Sequence, residues 1–351
     1  MVKRVLIFAI MCMPLLVSHA VHGQSGLDHA FLWTASGGMQ DLGVPAGYIE
    51  SFANAISRTG QVAGYVLTAN GEPSAAVWTP AIGWRILSKQ LNPKYSIAYG
   101  INSAQQVVGV TEVSGTNVLH AFLWTAATGM QDLGSLGGAN CQAFGINDSG
   151  EVVGGSLIAT GASHAFLWTQ SGGMQDLGTL DAGGFNPGST AFAISDKGVI
   201  AGASVPKDDF SEAVFWRNGH IYTLKGIGPP DPGQSGPSSI AYAINNVGPI
   251  GEIAGSFSKS SPNEPAFPFL WNQTTGAITI GALDGSISNT ATGVNDVGQV
   301  VGYDFLSNGD PLAFIWSSAD GLQSLGTLGG PTSIATAINN AGQVVGYSST
   351  P

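Results

Sequence analysis

Charge, cysteine and long apolar runs are all scarce in this chain. Only 9% of its 351 residues are charged, with 11 Lys and Arg against 22 Asp and Glu. A surface so poor in cations argues against nucleic acid as a partner, because phosphates need Lys and Arg to neutralise them. Only two cysteines are present, Cys12 and Cys141, and Cys12 lies in the leader described below. Cys141 alone cannot form an intramolecular disulfide, so stability has to come from packing and closure. No stretch reaches the ~20 apolar residues that cross a bilayer as a helix. No run of helical length repeats with a period of 3.6. An HExxH pair, a Ser-centred elbow and a phosphate-cradling Gly loop are missing as well.

Glycine and short apolar segments are what the chain has in abundance. With 51 Gly and 44% hydrophobic residues, the composition points to many turns and short strands, hence an all-β fold. Lys3 and Arg4, the apolar run from Val5 to Val17 and the small-residue site Ser18-His19-Ala20 predict a secretory signal peptide over residues 1–20. Residues 21–351 are then a single exported domain, in the periplasm or outside the cell. Removing Lys3 and Arg4 takes two positive charges from a formal net of -11, leaving -13, which bears on solubility more than on any partner.

A Trp-centred segment recurs seven times: HAFLWT at 29, 120 and 164, SAAVWT at 74, EAVFWR at 212, FPFLWN at 267 and LAFIWS at 312. Its Trp residues fall at 33, 78, 124, 168, 216, 271 and 316, so the period is 44 to 55 residues. Periods near 45 belong to propeller blades or to paired-helix solenoids, and the local pattern decides for the former. The clearest unit runs through AFGIN at 143, EVVGG at 151, HAFLWT at 164 and MQDLGTL at 174. These are four β-branched and aromatic runs bounded by turn residues. Four strands repeated seven times predict a seven-bladed β-propeller.

The first run of each unit reads small-x-small-Ile, as in Ala53/Ala55/Ile56 and Ala143/Gly145/Ile146, which suits the strand nearest the axis. Turns such as NDSG at 147 and NNAG at 339 follow it, with Asn and Asp suited to left-handed or side-chain-bonded geometry. The second run is expected to end in Gly64, Gly109, Gly154, Gly202, Gly255, Gly302 and Gly346, implying a bulge or a close approach by the next blade. The chain begins with a third and fourth strand and ends with a first and second, so a two-plus-two seam is predicted to close the ring. Two departures stand out: an expanded hairpin, NNVGPIG at 245, and a Pro- and Gly-rich insertion over 226–239.

The strings HAFLWT, GMQDLGSLGG and AINNAGQVVGYS, clearest at 120–155, 164–181 and 312–347, resemble the extracellular HAF-repeat family of bacterial proteins. The resemblance spans essentially the whole exported chain, and the blade pattern is similar to kelch repeats by analogy of fold. It implies an exported repeat protein and brings no catalytic residues with it.

Several residues invite a chemical reading. His29, His120 and His164 could ring a metal, yet the matching positions elsewhere are Ser74, Glu212, Phe267 and Leu312. Metal donors must converge within about 2 to 2.5 Å of one ion, so these His are expected to be hydrogen-bonded at strand starts. Asp41, Asp132 and Asp176 alternate with Arg85, Thr223, Thr279 and Ser324 and read as polar outer-strand positions. Asp208-Asp209 reads as a solvated loop, the NDSG-type turns as turns alone, and the seven Trp as core, with Trp84 the candidate exposed aromatic. The expectation is a secreted monomer acting as a binding module, with a glycan or a surface protein as partner and no catalytic, metal or cofactor site assigned. Contacts are expected from the second-to-third and fourth-to-first connections, such as 66–73 and 111–119. The alternative is a carbohydrate-active enzyme, a lyase or glycosidase, with its site at the axial mouth.

Overall fold

The computed structural model describes residues 26–87, 95–113, 115–180, 187–206, 211–227, 238–258 and 265–351. The expected leader over residues 1–20, Asp208-Asp209 and most of the 226–239 insertion lie outside them. Among the described residues every regular element is a strand, and the strands form seven four-stranded sheets. Six sheets consist of consecutive strands. Their inner strands, Glu50–Ile56, Ser96–Ile101, Gly137–Ile146, Gly188–Ile194, Ser239–Ile244 and Ser286–Val294, number blades 1 to 6. Blade 7 joins the chain ends: Asp28–Thr34 and Gly38–Asp41 form its outer half, Ser333–Ile338 and Val344–Ser349 its inner half. Phe31 pairs with Gly346 across that seam. Each inner strand touches the inner strands of both neighbouring blades, blade 7 included. The protein is therefore a closed seven-bladed propeller with the seam and strand phase that the repeats predict.

The Trp-bearing strand is apolar throughout because a blade is covered on both faces, the same reason that doubly covered strands elsewhere lose their alternation. Ala30 packs into the core between blades 7 and 1, whereas its neighbour Phe31 packs into the core between blades 6 and 7. Phe31, Phe122, Phe166, Phe269 and Phe314 are all fully buried, each contributing about 2 kcal/mol by removal from water. One such core fills each blade interface, that between blades 1 and 2 holding Val77 and Leu87 against Phe122 and Trp124. The expanded hairpin of blade 5 also joins this scheme, since Ile250 is buried in the core between blades 4 and 5.

The recurrent glycine sits inside its strand rather than at the end: blade 3 runs Val152–Ile158, with Gly154 third. It answers a bulge in its own blade, not an approach by the next. The register slips by one residue between Ala143 and Gly145, opposite Gly154, and the other six inner strands slip at the matching place. A β-carbon on Gly154 would lie 1.9 Å from the Gln142 carbonyl oxygen and 2.7 Å from the Phe166 ring, which no relaxation of a backbone pair accommodates cheaply.

Blades are also stitched by a recurring Ser at the start of the inner strand. Ser51, Ser96, Ser189, Ser239 and Ser333 each accept the N–H of an Ala on the preceding blade's third strand at 2.9 to 3.0 Å. Ser288 does the same for Ala266, and between blades 2 and 3 the acceptor is Asn140, bound by Leu119.

Candidate functional site

The inner hairpins converge on the axis at one end of the propeller and enclose a cavity of ≈ 200 Å³. Three tiers of side chains build it, the first and third drawn from all seven blades and the second from six. Deepest are Ile56, Ile101, Ile146, Ile194, Ile244, Val294 and Ile338. Above them the wall is Ser57, Asn102, Asn147, Ser195, Asn245 and Asn339, and the rim is Arg58, Ser103, Asp148, Asp196, Asn246, Asp296 and Asn340. The cavity thus opens at the hairpin end, opposite the connections from which contacts were expected.

Wall asparagines tie one blade to the next. Asn147 donates Nδ2 to the Ser195 carbonyl at 3.1 Å and to the Glu151 carboxylate at 2.6 Å, while its Oδ1 accepts the Glu151 N–H. Asn102, Asn245, Asn295 and Asn339 each reach the following blade in the same way. These turns are therefore more than local turns, and their Asn residues are not in the left-handed region. That conformation falls to Gly150 (φ 79°) and its counterparts. Ser57 and Ser195 are too short to reach onward and bond within their own hairpins.

A second circuit runs along the rim. Ser103 donates its N–H to Asp148, Asp148 to Asp196, Asp196 to Asn246, Asn246 to Asp296, and Asp296 to Asn340, at 2.7 to 3.0 Å. The circuit opens at blade 1, where Arg58 has no acceptor to offer. Instead the Arg58 guanidinium crosses the mouth to Asp196 on blade 4 and stands 3.4 Å from Asp148 on blade 3. Its side chain remains 47% exposed, so part of its donor fork faces solvent.

Further along the axis lies a ring of aromatics. The bulged residue of the inner strand is Tyr99, Phe144, Phe192 or Tyr242 in blades 2 to 5, with ring centroids 5.3 to 5.5 Å apart. Blades 6, 7 and 1 carry Thr292, Thr336 and Asn54 there, and in those blades the residue after the second-strand Gly is aromatic instead: Tyr303, Tyr347 and Tyr65. The corresponding positions of blades 2 to 5 are Val110, Gly155, Ala203 and Ser256. The Tyr242 phenol reaches Ser256 on its own blade, so the two positions share one space and each blade fills it once. Burial pushes the Tyr242 phenol up to about 12 and those of Tyr65, Tyr303 and Tyr347 above their ordinary value. These phenols stay protonated at neutral pH, so none of them serves as a general base.

The flagged His and Asp residues meet in pairs, away from the cavity. His29 Nδ1 lies 2.8 Å from Asp41, His120 2.6 Å from Asp132, and His164 2.7 Å from Asp176. Each Asp also accepts the N–H of a following Gly, as Asp176 does from Gly178. The signal was present in the repeats: the three copies with His are the three with Asp. Trp84 is not an exposed aromatic. It is half-buried and donates its indole N–H to the Gly43 carbonyl of blade 7 at 2.9 Å, a bond that Trp216 and Trp271 also make to the preceding blade. Of the seven repeated Trp, Trp124, Trp216 and Trp271 are buried, and Trp33, Trp78, Trp168 and Trp316 pack partly buried against the interface cores. Cys141 is buried, and desolvation pushes its thiol up to about 12, which leaves it inert as a nucleophile. Among the described residues no three metal-ligating side chains cluster, and no helix is long and apolar enough to cross a membrane.

No protein-family model matches the chain, and no curated protein does. Several solved structures are similar to the chain. A puromycin hydrolase S511A mutant complexed with PGG is 10% identical with a TM-score of 0.54, over 84% of this chain and 49% of that one. TolB from Acinetobacter baumannii is 14% identical with a TM-score of 0.46, over 74% and 62%. The Aleuria aurantia lectin, a six-bladed propeller with a fucose recognition mode, is 16% identical with a TM-score of 0.42, over 85% and 94%. At such identities the likeness extends to the fold alone.

Proposed function

We propose that this protein is an exported, monomeric propeller of the HAF-repeat type that works as a binding module, presenting the axial cup at its hairpin end to a partner. The observation that carries this reading is the cup itself, a concave site where guanidinium, carboxylate, amide and hydroxyl groups converge from all seven blades. The leader over residues 1–20 supports export. The test is binding of the purified protein to a broad glycan array and to proteins of its own culture, repeated with Arg58→Ala. Saturable binding that weakens in the variant supports the reading. Binding indifferent to every rim substitution overturns the placement of the site.

A second reading, a carbohydrate-active enzyme acting at the same mouth, is favoured by one observation: three carboxylates and an arginine meet there. Asp148, Asp196 and Asp296, however, are each tied into the rim circuit as acceptors of a main-chain N–H, and Asp148 and Asp196 are also engaged by Arg58. Release of new reducing ends or unsaturated products from any bound glycan would restore the enzymatic reading.

A further inference from the structure

We propose that the axial cup takes a single neutral sugar ring, free or at the end of a glycan chain, oriented by Arg58. The inference rests on the binding-module reading and names its ligand class. Size is the first constraint. At ≈ 200 Å³ the cup is smaller than the roughly 300 to 1,000 Å³ of pockets that enclose drug-sized ligands. Its rim passes through the hairpins of all seven blades, so a polymer has no sideways passage and only a terminal unit enters.

Charge is the second constraint. An anionic ligand meets Asp148, Asp196 and Asp296, against one guanidinium already shared by two of them. A cationic ligand has to displace Arg58, which is tethered beside its carboxylates and so competes at high effective concentration. A neutral ligand faces neither penalty. The rim chemistry suits adjacent hydroxyls, each of which donates and accepts: the solvent-facing donors of Arg58, the carboxylates of Asp148 and Asp196, and the amide of Asn246. The Ile and Val side chains of the floor leave little apolar surface accessible, so recognition rests on the polar rim. Because the cup lies on the axis, one ligand binds per chain.

The test is titration of the intact protein with neutral monosaccharides, followed by calorimetry and ligand-observed NMR. In parallel, an array carries neutral glycans tethered at their reducing ends, uronate-terminated and sialylated glycans, and polyamines are titrated in solution. The expected result is binding of neutral sugars that falls at least about tenfold in Arg58→Ala. It should be only partly restored by Lys at that position, which keeps the charge and loses the fork. Asp176→Asn, on an outer strand, serves as the control and should bind as the parent does. Binding of free monosaccharides identifies the ring as sufficient, and binding on the array alone identifies the chain end. Preference for acidic sugars or polyamines overturns the charge argument. Neutral-sugar binding unaffected in Arg58→Ala overturns the placement. Silence toward every sugar while a protein partner binds overturns the ligand class and leaves the binding module standing. Silence toward both removes the two readings together.

Discussion

The axis and the periphery of this propeller are held together in different ways. At the axis three sets of polar links cross from one blade to the next, beside the bonds that close each hairpin: the wall asparagines, the rim circuit and the inner-strand serines. At the periphery the His–Asp pairs stay inside a blade, as His164 with Asp176 does between third and outer strands, and the indole bonds of Trp84, Trp216 and Trp271 are the recurring polar links that cross. The outer strands are also only four residues long and largely exposed. Coupling between blades is therefore concentrated where the inner strands meet, with the apolar interface cores behind it. A substitution at the axis disturbs the closure of the ring, and one at the edge disturbs its own blade.

The largest expected effect breaks the axial side of this contrast. Gly154→Ala forces a methyl group into the Gln142 carbonyl and should destabilise the protein by about 3 kcal/mol in urea unfolding. A loss below about 1 kcal/mol would mean that inner and second strands shift freely past each other. Asn147→Ala comes next, at about 2 kcal/mol, because it removes the onward bond to Ser195 and strands the Glu151 N–H. A milder loss in Asn147→Ser is expected, since blades 1 and 4 carry Ser57 and Ser195 at that place.

Asp304, on the second strand of blade 6, sharpens the comparison because it is a buried group that opposes stability. It is fully buried with Oδ1 unpartnered, and burial raises its carboxyl above the ordinary 3.8. The folded state therefore holds the proton more tightly than the unfolded chain, so stability present below pH 3.8 is lost as pH rises through the folded-state value. Blades 3, 4 and 7 use Ser156, Ser204 and Ser348 at this position to accept the same kind of Leu N–H. Asp304→Ser should gain about 1 kcal/mol at pH 7, with the gain shrinking toward pH 3.5 in paired denaturation curves. A gain independent of pH would assign it to packing instead. The smallest effect belongs to the edge: His120→Ala should cost about 0.5 kcal/mol, and a double cycle with Asp132→Ala should give a coupling of similar size. Coupling several times larger would make the edge pairs as important as the axial links.

Much of the architecture is legible in the repeats because each blade needs the same few things. A strand covered on both faces demands an apolar run, so the Trp-centred segment announces itself seven times, three of them as HAFLWT. The bulge demands a glycine opposite it, so Gly154 and its counterparts recur. The His–Asp pairs were legible too, through their joint presence in blades 2, 3 and 7. So was the single aromatic per blade, since Tyr303, Tyr347 and Tyr65 appear only where Thr292, Thr336 and Asn54 leave space. Trp84 misled because its position in chain order says nothing of the Gly43 carbonyl waiting on a blade 41 residues away. The cup misled for a related reason: NDSG reads as a turn, and nothing local says that seven such turns face one another.

The sequence alone determined the strand content and the number of blades, because those depend on patterns within one repeat and its copies, whereas the phase of each blade rested on the small residues of the first strand and was decided by the sheet order. The tertiary structure alone decided which hairpin groups meet. Ring closure brings Arg58 of blade 1 to Asp148 and Asp196 of blades 3 and 4, residues about 90 and 138 positions away in the chain. Their meeting follows from seven-fold geometry, which no single repeat contains.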